Sequence, residues 1–526
     1  MFKSLFEYFQ ANFLISVWQS GFIPGHSTVT HLVEMYHTFC QAISEGKEIR
    51  VVFCDVSRAF DRVWHDGLLF KLKKCGIAGS LLAWLKHYLH ERYQRVVLNG
   101  QISTWTLVMA GVPQGSVLGP LLFLIYLNDI THVVKHCQIR MFADDTSLFI
   151  EVNDRVEAAN KINDDLTAIS MWAKTWLVTF SPPKSESLII SNKTRIEEHP
   201  PIYMDGRVLT EVTQHKHVGV TISRDLSWNK HIGTIENRAR TILNRLKQYK
   251  YTLTRRSLER VYFAYIRPIM EYADIVWAGG NVTDLDKLEM VQKDAARVVT
   301  GATARCSTTL LMDDTGWSTL SCRRRNHRLA LFYQIVNGLS PPYLGDLLPD
   351  RVGDRTRYAL RRSNDLTMPM CRTSAFSKSF IPNMVSEWNG LSLEEKSVSS
   401  LAIFKYKLKN TTRHELYYYG PRQENIQLTR MRVKCSSLNA HLCFYLHVVE
   451  DAKCGCGYAV EDPNHFFFYC PQYVQQRQTL CQSLDLTSFT IHEILFGTDT
   501  LSFETNKTHL DAIYRYIRDT ARFERR

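Results

Sequence analysis

Three aspartates stand where the chain could bring carboxylates to one point. Asp55 ends the apolar run IRVVFCD, and Asp144 and Asp145 sit in the middle of CQIRMFADDTSLFIEV. Carboxylates suit hard divalent cations, which take oxygen ligands. Two such cations a few ångströms apart activate an attacking hydroxyl and stabilise a leaving pyrophosphate, which is what nucleotidyl transfer requires. A second set, Cys454, Cys456, His465 and Cys470, has the spacing C-x-C-x8-H-x4-C. Three thiolates and an imidazole form a closed tetrahedral zinc site, and closed sites are structural. Each set also has a plainer reading. Asp55 could cap a helix, Asp144-Asp145 could be a polar turn, and the Cys/His set could be reduced side chains in a helical tail.

The surrounding pattern supplies elements that would position the aspartates. IRVVFCD reads as a buried strand with an acid at its end, and CQIRMFADDTSLFIEV as a hairpin with two acids at its tip. Adjacent strands would bring the two sites together. HDGLLFKLKKCG reads as a short amphipathic helix closed by Gly76. YQRVVLNGQISTW reads as a hairpin turning at Asn99-Gly100, a dipeptide that accepts positive φ angles. From Arg155 to Trp176, apolar residues at Ile162, Leu166, Ile169, Ala173 and Trp176 mark a helix laid on a sheet. GVPQGSVLGPLLFLIYLNDI places Gly111, Gly115 and Gly119 around Pro113 and Gln114, ahead of an apolar helix. Glycines at that density let backbone approach a ligand closely.

Composition excludes several classes. With 526 residues, 45% hydrophobic and 22% charged, the chain is neither disordered nor membrane-like, and it is long enough for several domains. No apolar run reaches a membrane span, so no membrane partner is expected. The start, MFKSLFEYFQANFLISVW, reads as an amphipathic helix packed on the body and not as a signal peptide. The 13 cysteines show no framework spacing and read as reduced thiols of a cytosolic or nuclear protein. A net charge of +12 attracts polyanions, nucleic acid above all. Between Arg238 and Arg260 there are eight Lys/Arg and a single acid, Glu259. No internal repeat is visible.

The carboxylate motifs and the glycine-rich loop, in this order, resemble the central palm motifs of reverse transcriptases of non-LTR (LINE-type, Jockey-like) retrotransposons. QSGFIPGHSTVTHL, WLVTFSPPKSESLIIS and HKHVGVTISRDLSWNKHI match that group in order and spacing. The match is strong over about residues 1–300. It continues more loosely through RYALRR, SFIPNMVSEWNGL and the C-terminal cluster. The resemblance implies an α+β fold: a right-hand polymerase palm with partial fingers, a helical thumb and a small C-terminal zinc-knuckle-like module. The divisions expected are 1–235 for fingers and palm, 236–320 for the thumb and 321–430 for a basic connecting region. The zinc-knuckle-like module follows at 431–475, and 476–526 forms an unassigned tail.

The implied activity is RNA-directed DNA synthesis on template RNA, from a DNA primer and deoxynucleoside triphosphates, in a nuclear and cytoplasmic ribonucleoprotein particle. Asp55, Asp144 and Asp145 match the ligands of two Mg²⁺ ions, with Mn²⁺ an alternative. Phe60 matches the bulky side chain that excludes a ribose 2′-hydroxyl, although a core aromatic is its plainer reading. Gln114, followed by Gly115, matches the position touching the template–nucleotide pair. Lys184 matches a lysine that protonates pyrophosphate, its plainer reading being a solvated loop lysine. A helix from Asn237 to Tyr265 would grip the duplex through phosphates; a solvated face is the alternative. The C-terminal cluster would hold Zn²⁺ and bind RNA, with Phe466 to Phe468 serving either to stack bases or, more simply, as a small core.

The sequence departs from the pattern at Ile23, His26 and Ser181. It also begins just before GFIPGHST, from which an N-terminally truncated copy is expected. Two other functions compete: a catalytically inactive remnant that binds RNA only, and an RNA polymerase sharing the palm. Phe60 argues against the second.

Overall fold

The computed structural model describes every residue except 194–196, 356–363, 409–413, 485–488 and 525–526. The RYALRR segment lies outside the described residues. Two compact units emerge. The first comprises Met1–His231, Ile275–Gly280 and Arg328–Leu401; the second comprises Ile232–Asp274, Asn281–His327 and Ala402–Arg526.

The first unit is built on a five-stranded sheet. Its strands are β1 (Glu48–Cys54), β2 (Gln138–Phe142), β3 (Asp145–Val152), β4 (Glu186–Ile190) and β5 (Thr210–Val212), in the spatial order β5-β4-β1-β3-β2. β1 is buried along its whole length and pairs antiparallel with both β3 and β4. An almost unbroken run of apolar residues suits a strand covered on both faces. One face carries Val52, Cys54, Ile139, Met141 and Leu148, packed with the helices Leu118–Leu127 and Arg155–Thr175. The second of these helices buries Ile162, Leu166, Ile169 and Ala173, as its apolar spacing predicts. The opposite face meets the helix Thr28–Ser44, whose Phe39 ring lies edge-on to Phe149 at 5.2 Å. The N-terminal helix Phe2–Ala11 adds Leu5, Phe6 and Phe9 to the first of these cores, in agreement with its amphipathic pattern. The Asn99-Gly100 turn has φ of +49° and +79° and joins Val97–Leu98 to Gln101–Ile102, as expected.

The described residues of the second unit are helical. Where one helix was expected from Asn237 to Tyr265, there are two: Asn229–Lys247 and Arg255–Val261, the latter continued by a π-turn over Tyr262–Ile266. The break has a local cause. Thr254 adopts extended backbone and its hydroxyl accepts from the Ser257 amide, which starts a new helix. Near it, Asp314 is buried between Arg255 at 2.8 Å and Arg432 at 2.7 Å. A buried carboxylate keeps its charge only with such partners, and these two guanidinium groups hold it below its usual range against the opposing effect of burial.

The C-terminal residues 476–526, unassigned from sequence, include the helix Phe503–Asp519 and most of the helix Val474–Ser483. Leu480, Leu510, Ile513, Tyr516 and Ile517 share one core with Leu428, Met431, Phe466 and Phe467. The Cys/His segment therefore packs into this helical body. Among the described residues no helix is long and apolar enough to cross a membrane.

Candidate nucleotidyl-transfer site

The strand pairing brings the three aspartates to one end of the sheet. Cys54 of β1 sits opposite Thr146 of β3, so Asp55 leaves its strand beside the tip of the β2–β3 hairpin. Phe142 pairs with Asp145, and Ala143-Asp144 form the two-residue tip. Asp55 is anchored by its own main chain: its amide donates to Ser185 Oγ at 3.1 Å and its carbonyl accepts from the Ser181 amide at 2.8 Å. The same 181–185 turn brings Lys184 Nζ to 3.9 Å from Asp55 Oδ2.

The electrostatics are those of crowded like charges. Asp145 is pushed up to about 6 by desolvation, then by the neighbouring carboxylates of Asp144 and Asp55. Asp144 is raised by the same causes, desolvation first and Asp55 after it. Asp55 Oδ2 is buried and has no hydrogen-bond partner. A buried, unbonded carboxylate oxygen beside two repelling carboxylates fits a divalent cation, which satisfies the oxygen and removes the repulsion.

The tip is held by residues that the sequence did not single out. Ala143 has φ of +58°, a left-handed conformation that costs energy for a residue with a Cβ. The buried Gln19 side chain clamps it: Oε1 accepts from the Ala143 amide at 2.8 Å, and Nε2 donates to the Ala143 carbonyl at 3.1 Å. Gln19 Oε1 also accepts from the Gly21 amide at 2.8 Å. A Cβ on Gly21 would lie 2.2 Å from Ala143 N, so only glycine lets this segment reach the tip. Both residues lie within QSGFIPGHST, where side-chain type alone suggested no chemistry. The clamp depends on a contact 124 residues away in the chain.

Phe60, on the short helix Ala59–Arg62, stacks on Phe123 at 4.3 Å and meets Phe22 edge-on at 5.8 Å. It is half-buried, joined to the core while keeping an open edge. The Val112 amide donates to the Phe60 carbonyl at 2.9 Å, which seats the glycine-rich loop beside it. There the Gln114 side-chain amide donates to Asp61 Oδ1 at 2.9 Å. The three loop glycines do different work. A Cβ on Gly111 would strike the Asp61 backbone at 2.8 Å, and one on Gly119 would lie 2.5 Å from the Pro113 carbonyl. Gly115 has φ of +78° and faces open space. Close packing within the protein therefore explains Gly111 and Gly119, and Gly115 alone leaves room for a ligand.

In the second unit, the ligand atoms of Cys454, Cys456, His465 and Cys470 all lie within 4.8 Å of one another. Cys454 and Cys470 sulfurs are 3.7 Å apart, and Cys456 Sγ lies 3.3 Å from His465 Nε2. Tetrahedral zinc with Zn–S bonds of about 2.3 Å would set sulfurs about 3.8 Å apart, so this donor set fits the ion. The adjacent aromatics do not face outward for base stacking. Phe466 and Phe467 are fully buried and pack against Tyr516 at 5.2 and 5.3 Å. This is the small-core reading, and it follows from the three successive aromatics forming a π-turn against the C-terminal helix.

Residues 4–222 match the family described as reverse transcriptase (RNA-dependent DNA polymerase). Together with the carboxylate site, this makes them a reverse transcriptase domain with the polymerase fold of that family. Among curated proteins of Drosophila melanogaster, the chain is similar to the probable RNA-directed DNA polymerase from transposon BS, 32% identical over 54% of this chain and 32% of the relative. It is likewise similar to that from transposon X-element, 29% identical over 66% and 37%. The RNA-directed DNA polymerase from mobile element jockey is 30% identical over 55% and 32%. The chain spans about a third of the length of these relatives. A Candida albicans telomerase solved with a telomeric RNA fragment aligns over 78% of this chain and 58% of its own at 10% identity, with a TM-score of 0.34, too faint a likeness to argue from.

Proposed function

We propose that this chain is an RNA-directed DNA polymerase that extends a primer 3′-hydroxyl along template RNA. The observation that carries this reading is the convergence of Asp55, Asp144 and Asp145, with an unbonded Asp55 oxygen and Lys184 beside it. These three carboxylates would hold two Mg²⁺ ions, or Mn²⁺, which when bound activate the primer hydroxyl and stabilise the leaving pyrophosphate. Lys184, 3.9 Å from Asp55 Oδ2, would give a proton to that leaving group. The open edge of Phe60 would meet the sugar 2′ position and reject ribonucleotides. Gln114 and Gly115 present a side-chain amide and an uncovered backbone to the base pair being formed.

In this reading the five-stranded sheet is the palm, the helices within 236–320 are the thumb, and the Cys454–Cys470 segment would hold a structural Zn²⁺. The partners are template RNA, a DNA primer and deoxynucleoside triphosphates, in a nuclear and cytoplasmic ribonucleoprotein particle. Primer extension on poly(rA) with oligo(dT), Mg²⁺ and dTTP tests it, against a chain carrying both Asp144→Ala and Asp145→Ala. Extension lost in the double variant supports the polymerase. A folded chain that binds RNA without extending the primer would instead be an inactive remnant.

A further inference from the structure

The second unit contains a cavity of about 590 Å³ that polymerase chemistry does not use. Its walls come from three separated stretches, with Tyr251, the helix Arg422–Arg432 and the C-terminal end around Phe523. Ile426 and Ile517 supply apolar surface, and Tyr251 and Phe523 supply aromatic rings. The Phe523 ring is steadied by Phe466 at 5.3 Å. Gln427 Oε1, on the cavity wall, is buried and has no hydrogen-bond partner. A buried acceptor left unpaired is costly and calls for a donor.

The cavity has a cationic end. Arg430 lines it, with Nε donating to the Gly301 carbonyl at 2.9 Å. Beyond the lining itself, Arg422 donates to the carbonyls of Lys250, Val298 and Val299, and Lys250 Nζ to that of Ala302 at 3.3 Å. Val298 and Val299 lie in the last turn of the helix Val282–Thr300, whose negative pole accounts for part of the positive charge gathered here. Among the described residues, none of the three cations has a carboxylate within ion-pair reach. Burial first, and then the nearby Arg255 and Arg430, push Arg422 down to about 10. Two acids line the same cavity: Glu424, engaged by Arg518 at 3.3 Å, and Glu524.

We infer that this cavity binds a single unpaired nucleotide, its base against Tyr251 and Phe523 and its phosphate toward Arg430. A base offers an aromatic face and an N–H donor, which match the two rings and the unpaired Gln427 oxygen. A phosphate supplies the anion that the cationic end lacks. The nucleotide could belong to a bound strand or be free in solution, and the site is separate from the aspartate centre in residue content.

The test uses the full chain and a fluorescein-labelled single-stranded RNA 12-mer read by anisotropy. A second arm offers free ATP and UTP as competitors, and a third maps photocrosslinks from a 4-thiouridine copy of the RNA. Tyr251→Leu removes one of the two rings, and Gln427→Leu removes the unpaired acceptor without changing charge. Each is expected to weaken RNA binding about tenfold, with crosslinks at Tyr251 or Phe523, while primer extension on saturating short template stays unchanged in Gln427→Leu. Competition by free mononucleotide would assign the same site to a free nucleotide, and its absence to a strand. Wild-type affinity in both variants, or crosslinks confined to residues 1–231, would overturn the inference. Loss of extension in the aspartate variants reports on the polymerase separately, since those chains keep this cavity.

Discussion

The aspartate tip of the first unit and the Cys/His cluster of the second are both suited to cations, yet their surroundings differ in kind. The aspartates stand at the open end of a rigid sheet, with hard oxygen donors, one oxygen unbonded and charges that repel. The thiols and imidazole are turned toward each other, and the residues between them form part of a hydrophobic core. An open site of repelling ligands costs stability and leaves coordination positions for substrate. A closed site of soft ligands leaves none, and its binding energy goes into holding the fold. On the proposed reading, chemistry belongs to one region and integrity to the other.

The largest expected effect comes from removing a ligand at the open site. Asp144→Asn should reduce primer extension by at least about 10³-fold. Its melting temperature without metal should stay level or rise, because a repelling charge has gone. A fall in both would mean that the aspartates are structural and would erase the contrast. Gly21→Ala leaves every aspartate in place but drives a methyl into the Ala143 amide. Displacement of the tip should cost about 10²-fold in extension. Activity within twofold of wild type would show that the clamp does not position the tip.

The closed site should respond in stability first. Cys454→Ser should remove several kcal/mol from the second unit, seen as an earlier unfolding transition and loss of bound zinc by mass spectrometry. Extension per folded molecule should fall far less than in Asp144→Asn. The smallest effect is a pH dependence. The folded-state pKa of Asp145 lies near 6, above its ordinary value of 3.8. The folded state therefore holds that proton more tightly, and the stability this lends is present below about pH 4 and lost as pH rises through 6. Without metal this part of the stability should decline across that window, and Mg²⁺ should raise the melting temperature more at pH 7.5 than at pH 5. An equal Mg²⁺ shift at both would detach the ion from these aspartates.

Much of this was readable before any coordinates. The apolar run ending in Asp55 read as a buried strand and the segment around Asp144-Asp145 as a hairpin with two acids at its tip, and both elements form as read. Asn99-Gly100 declared its turn through φ angles that few other residues accept. The Cys/His spacing named its donor set. Local rules sufficed because each of these signals spans a few residues whose conformations are decided by their own side chains.

Other features are products of contacts between distant segments. The two helices in place of one between Asn237 and Tyr265 follow from a single Thr254 cap that periodicity does not register. Phe466 and Phe467 could equally have met a base or a core, and the C-terminal helix decided for the core. Gln19 and Gly21 carry no chemistry in their types; only the return of β2 and β3 to the N-terminal segment makes one a clamp and the other indispensable. The sequence by itself determined which side chains could do chemistry and the strands and turns that present them. The tertiary structure decided which segments hold the tip in its strained conformation, because that energy is supplied by packing and hydrogen bonds across more than a hundred residues of chain.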